Sequence, residues 1–216
     1  MLIATPADLA QWAEGRDRKE LAAVAWRAAM RECIMIRNFP DAGRAWRQLA
    51  MFRALSSAWC ATFGSDTEQG RAACEFSIEA RSAAVYPPLE AALQAAATAV
   101  LTRPDDAEAA MVRAVDRCAL GESAVADMRA VEADAQFVDN LGADAIARAP
   151  VSSDPKFLPA FRALVRSLPD EWAIWGRWLE ARAEGSAPDP EFELRLCIIL
   201  DADWPRAEVP LALAGE

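Results

Sequence analysis

Between Asp170 and Gly185 the chain reads DEWAIWGRWLEARAEG, and its three tryptophans, Trp172, Trp175 and Trp178, recur at every third residue. At helical pitch that spacing drifts slowly round the axis, so the indoles share one broad face. Side chains of that size need a covering layer of other elements. We read this stretch as the anchor of the fold, with Arg182 one turn beyond Trp178 and placed to lie over its ring.

The covering layer should be helical. Runs such as AALQAAATAV favour helix, because alanine loses no side-chain entropy there, and only nine glycines interrupt 216 residues. Hydrophobic residues make up 54% of the chain, enough for a packed core without metal or disulfide help. The expected fold class is all-α, an irregular multi-helix bundle of about eight to ten helices.

Start and stop signals divide the chain. Thr5-Pro6 opens a short helix that ends near Gly15, and Asp17 with Glu20 opens a second that keeps its apolar period to about Arg37. A third runs from Asp41 through Trp46, Phe52 and Trp59 to Gly64, forming an antiparallel hairpin with the second. Further helices are expected from Ser65 to Tyr86, from Leu89 to Leu101, after Thr102-Arg103-Pro104, and from Glu122 to about Arg148 with a break at Gly142. Pro150 and Ser153-Asp154-Pro155 are the clearest boundary. They separate a bundle over 1–150, which carries the basic hairpin, from a Trp-rich segment over 151–216 packed on it as part of one continuous domain. A helix from Pro155 to Leu168 precedes the Trp helix. In Glu191 to Leu200 a period of two competes with a helical one, and the Asp189-Pro190 start decides for helix.

Charge is segregated. The formal net charge is −10, yet Arg16 to Arg53 holds nine basic residues against four acidic ones, so this section is +5 and the remainder −15. An acidic body carrying a basic section can pair with itself or with an acidic partner. Arg27 and Arg31 lie one turn apart on the second helix, and Arg44 with Arg47 on the third, a set of guanidinium forks suited to carboxylates or phosphates. The overall acidity argues against a polyanion-binding surface.

The inventory for catalysis is thin. There is no histidine, which removes the usual base of nucleophile triads and the common nitrogen ligand of zinc, and there is no glycine-rich phosphate loop. Acidic groups at Glu75/Glu79, Asp105/Asp106/Glu108, Glu132/Asp134/Asp139 and Asp201/Asp203 read as solvated helix faces. The five cysteines show no C-x-x-C pair and sit among apolar residues, as buried reduced thiols would. Without a charged-then-apolar leader or an apolar span near ~20 residues, the expectation is a cytoplasmic protein that does not enter a membrane.

Trp172, Trp175, Trp178, Glu180, Arg182 and Gly185 form a W-x-x-W-x-x-W-x-E-x-R-x-x-G block, followed by Glu191, Glu193, Asp203 and Trp204. In this block, and in the earlier Arg27-x-Ala29-x-Arg31 segment, the chain resembles a group of uncharacterised helical bacterial proteins. The resemblance implies a helical domain without known catalysis and supplies no active-site residues.

The functional expectation is a non-catalytic protein-interaction module, a regulatory or accessory subunit that needs no cofactor or metal. Its partner would be an acidic protein surface or a second copy, met by Arg27, Arg31, Arg44, Arg47, Trp172, Trp175, Trp178 and Arg182. The alternatives are a bundle that senses a small molecule in an apolar pocket, and a magnesium–carboxylate hydrolase.

Overall fold

The computed structural model of the protein describes residues 2–38, 44–63, 87–118, 124–167 and 173–186, and Glu68, Ala72, Asp189, Phe192 and Glu193 individually; side chains are described for these except at 36–49, 87–88, 124–127 and 173. Among the described residues there are nine α-helices and one 3-10 segment, with no strand. The chain is an all-α multi-helix bundle.

Its centre is α2 (Arg18–Glu32), in which every residue from Leu21 to Met30 is buried. A helix buried on all sides must be enclosed by others, and α2 packs against α3 (Arg44–Phe63), α4 (Pro87–Val100), α5 (Pro104–Cys118) and α6 (Ala124–Leu141). The second enclosed helix is α4, buried at Leu89 and from Ala91 to Val100, and it touches α2, α3 and α5 at once. Its alanines explain this: small side chains on every face let three neighbours approach together. The anchor of the fold is thus the α2–α4 pair, and the Trp helix is a later layer over it.

Local chemistry sets the ends. In α1 (Pro6–Ala13) Thr5 and Asp8 form a reciprocal capping box, with the Asp8 N–H donating to Thr5 Oγ1 and the Thr5 N–H to Asp8 Oδ2. The Asp8 carboxyl is held below its ordinary pKa mainly by the Thr5 hydroxyl, which donates to Oδ2, and then by the Ala4 and Thr5 N–H groups. Asp17 caps α2 by accepting from the Lys19 N–H at 2.6 Å. The helix becomes a 3-10 segment over Cys33–Asn38, earlier than its apolar period implied. At Gly142, φ of 81° separates α6 from the single turn α7 (Ala143–Ile146).

The chain then returns through α8 (Phe157–Arg166) to α9 (Ala173–Ala183), held to α8 by Arg162, which pairs with Glu180 and Glu184. The end of α9 is a Schellman turn, with Ser186 donating to the Ala181 carbonyl and Gly185 to that of Arg182. Past it, Asp189 caps the turn containing Phe192 and Glu193, accepting from the Phe192 N–H through its side chain and from the Glu193 N–H through its carbonyl. The rest of Glu191–Leu200 and the expected Ser65–Tyr86 helix lie outside the described residues, apart from Glu68 and Ala72.

Buried side chains from Ile3 to Ala183 form one continuous cluster. No helix among the described residues is long and apolar enough to cross a membrane. Cys33 and Cys118 are buried thiols outside any disulfide, and burial pushes the Cys33 thiol up. Cys60 is disulfide-bonded, which corrects the reading of reduced thiols at that position: pairing follows distance in space, and sequence spacing does not report it. Cys74 and Cys197 lie outside the described residues.

Candidate functional site

The two arginines of α2 singled out in the sequence come together around one carboxylate. Arg27 Nε donates to Asp134 Oδ1 at 2.7 Å, and Arg31 Nη2 lies 2.7 Å from Asp134 Oδ2, a contact off the hydrogen-bond axis and therefore mainly Coulombic. Arg27 also donates to the carbonyls of Ile146 at 3.2 Å, Ala149 at 3.0 Å and Pro150 at 2.5 Å, and Arg31 to that of Val151 at 3.0 Å. The guanidinium forks thus satisfy backbone acceptors at the last residue of α7 and in the turn after it, where helical pairing has ended. Arg27 is 7% exposed. Burial lowers its pKa, Asp134 opposes that, and the neighbouring Arg31 charge adds to it.

These two residues do not form a contact surface, and the expectation fails for them because both guanidiniums are turned inward onto Asp134 and the backbone carbonyls of 146–151. Arg44 and Arg47 belong to α3, but their side chains lie outside the described ones. The same pairing extends along α2. Arg16 meets Asp139 at 2.6 Å and Lys19 meets Asp144 at 2.6 Å, so the basic section docks the acidic α6–α7 strip. Of the two uses open to the segregated charge, pairing within the chain accounts for these cations.

The aromatic block is likewise interior. Trp175 and Trp178 are 2% and 3% exposed, and Trp178 stands edge-on to Trp59 at 6.3 Å, itself 4.7 Å from Trp26. Arg182 lies over the ring of Trp59, not that of Trp178, with its guanidinium 5.0 Å from the centroid. Glu193 completes the cluster: Oε1 accepts from Trp178 Nε1 at 3.2 Å and lies 3.4 Å from Arg182 Nη1. Burial pushes the Glu193 carboxyl up; the Trp59 and Trp178 indoles and the Arg182 cation pull back part of the rise, and Asp189 adds to it. Burial also lowers the Arg182 pKa against the pull of Glu193. Trp175, Trp178 and Arg182 are therefore packing residues, and Trp172 lies outside the described residues.

One site escaped the sequence reading. A cleft of about 380 Å³ opens at the amino end of α2, where the carboxyl ends of α3 and α4 and the amino end of α5 also meet. Its apolar floor includes Leu21, Ala22, Ala61 and Ala99, and its wall holds Arg16, Arg18 and Lys19 with Asp17 between. Two amino and two carboxyl helix ends bring opposing dipoles, so side chains set the charge of the cleft. Arg16 is committed to Asp139 and lies over Trp12 at 4.2 Å, and Lys19 is committed to Asp144. Arg18 is half-buried and has no ion partner among the described residues. The available signal was the Arg-Asp-Arg-Lys run at 16–19, which read only as part of a charged section.

No family model, curated protein or solved structure matches this chain. Among the described residues no group of three or more Cys, Asp or Glu side chains could hold a metal ion. Of the acidic clusters, Asp134 and Asp139 serve the ion pairs above, and Glu108 accepts from the Gly15 N–H at 3.1 Å. Glu75, Glu79, Asp201 and Asp203 lie outside the described residues.

Proposed function

We propose that the protein is a non-catalytic all-α module that binds a small molecule in the cleft at the amino end of α2. The observation that carries this reading is the cleft itself, a cavity of about 380 Å³ with an apolar floor and a wall of Arg16, Arg18 and Lys19. That volume falls within the range of roughly 300–1,000 Å³ common to ligand pockets, and a few convergent polar groups beside an apolar floor are what fix a ligand's orientation. The protein-interaction reading loses Arg27, Arg31, Trp175, Trp178 and Arg182, which are used internally. Its remaining proposed contacts are Arg44, Arg47 and Trp172.

A thermal-melt screen of small apolar, anionic and cationic compounds tests the reading, because a ligand that binds only the folded state raises the melting temperature by mass action. A compound that stabilises the wild type should fail to stabilise Thr102→Trp, where an exposed cleft-lining residue is enlarged. A screen without hits, or hits that stabilise both proteins equally, would remove the cleft as the binding site.

A further inference from the structure

We infer that the ligand of this cleft is an anion with a short apolar part, and that its charged group competes with Asp139 and Asp144 for Arg16 and Lys19. The inference rests on the cleft reading above and adds the ligand's charge and the consequence of its binding. Three cationic residues line the cavity with one acidic residue, Asp17, whose carboxylate already accepts from the Lys19 N–H. A cationic ligand would meet like charge, and a neutral one would leave Arg18 unpaired beside it.

Two of the three cations hold another part of the fold. Arg16 to Asp139 and Lys19 to Asp144 are ion pairs that help to tie the end of α6 and the turn α7 to the start of α2, Asp139 also accepting from Trp12 Nε1. Both pairs are partly exposed, and the Asp144 side chain is 78% exposed, so each exchanges partners at small cost. An anion bound at Arg18 draws on Lys19 and Arg16, weakening the hold on α6–α7. By reciprocity, a weaker hold on α6–α7 tightens anion binding. Farther along α2, the buried Arg27–Asp134–Arg31 group keeps α6 attached, which confines the change to the end of α6 and to α7.

The experiment is a calorimetric titration of the full chain with hexanoate, hexyl phosphate, hexanol and hexyltrimethylammonium. Wild type, Arg18→Gln, Asp144→Asn and Asp154→Asn are compared, with far-UV circular dichroism and melting to verify each fold. Asp154 neither lines the cleft nor pairs with a cation that does, so Asp154→Asn controls for net charge. Hexanoate or hexyl phosphate should bind, and whichever is tighter identifies a carboxylate or phosphate head. Arg18→Gln should weaken the tighter probe about tenfold or more. Asp144→Asn should tighten it by roughly two- to fivefold while Asp154→Asn does not. Hexanol binding as tightly as the anions, or an Asp144→Asn Kd equal to that of the wild type, would overturn the inference and leave the cleft as a small-molecule site. Binding of hexyltrimethylammonium alone would do the same, whereas no binding by any probe would count against both.

Discussion

Asp134 is the side chain on which two cations depend, the buried Arg27 and the largely buried Arg31, since both face its carboxylate. Asp134→Asn keeps the shape and deletes the charge, leaving two like charges one turn apart inside the protein. Removing one partner of a buried pair is strongly destabilising, so the expected loss is about 3–5 kcal/mol in urea unfolding. A loss under about 1 kcal/mol would mean the backbone carbonyls alone suffice for both guanidiniums. Glu193 poses a different question, because its folded-state pKa is raised above the ordinary value, chiefly by burial. The folded chain then holds that proton more tightly than the unfolded one. The corresponding stability is fully present below the ordinary carboxylate pKa and is lost as pH rises through the raised value. Across that window the stability of wild type relative to Glu193→Gln should fall with rising pH, as read by urea midpoints at successive pH values. A difference that stays flat would show that Glu193 does not titrate there.

At the scale of elements, what the sequence made legible was local and what it concealed was long-range. Thr5, Asp17 and Asp189 were recognisable as helix starts because a cap is satisfied within three or four residues. The +5 section was equally visible, but its counter-charges lie more than a hundred residues away at Asp134, Asp139 and Asp144, where no spacing rule reaches. The cleft was hidden for the same reason, being assembled from the ends of four helices. Gly185 combines both kinds of information. Its place after α9 marks a helix end, and its φ of 74° suits glycine, but a Cβ there would also lie 2.6 Å from the Ala149 carbonyl carbon and 2.7 Å from the Pro150 nitrogen. Gly142→Ala meets nothing within 4 Å, but at φ 81° and ψ 167° it must hold an extended positive-φ backbone that is essentially restricted to glycine, a strain of about 1–3 kcal/mol. Gly185→Ala must also push α9 off the 148–150 turn, for a total of roughly 2–4 kcal/mol. A Gly185→Ala loss in urea unfolding no larger than the left-handed strain alone, about 1–2 kcal/mol, would show that this close approach carries no cost.

Across the whole molecule, protection should follow enclosure. The slowest-exchanging amides are expected in α2 from Leu21 to Met30 and in α4 from Ala91 to Val100, since both helices are covered on every side and open only when the core does. The α9 layer reaches that centre by two routes: Trp178 against Trp59, and the Ala183 carbonyl, which accepts from the Val151 N–H at 2.9 Å in the turn that Arg27 and Arg31 hold. Asp134→Asn loosens the arginines from α6, and with them the turn, but touches no residue of α4. Native-state hydrogen exchange of that variant should therefore show protection falling most over 143–151 and in α9, with α4 falling only by the global loss of stability. If every segment instead lost protection by the same amount, the 146–151 turn and α9 would open only with the core, and the arginine centre would stabilise the chain as a whole without acting as a separate joint.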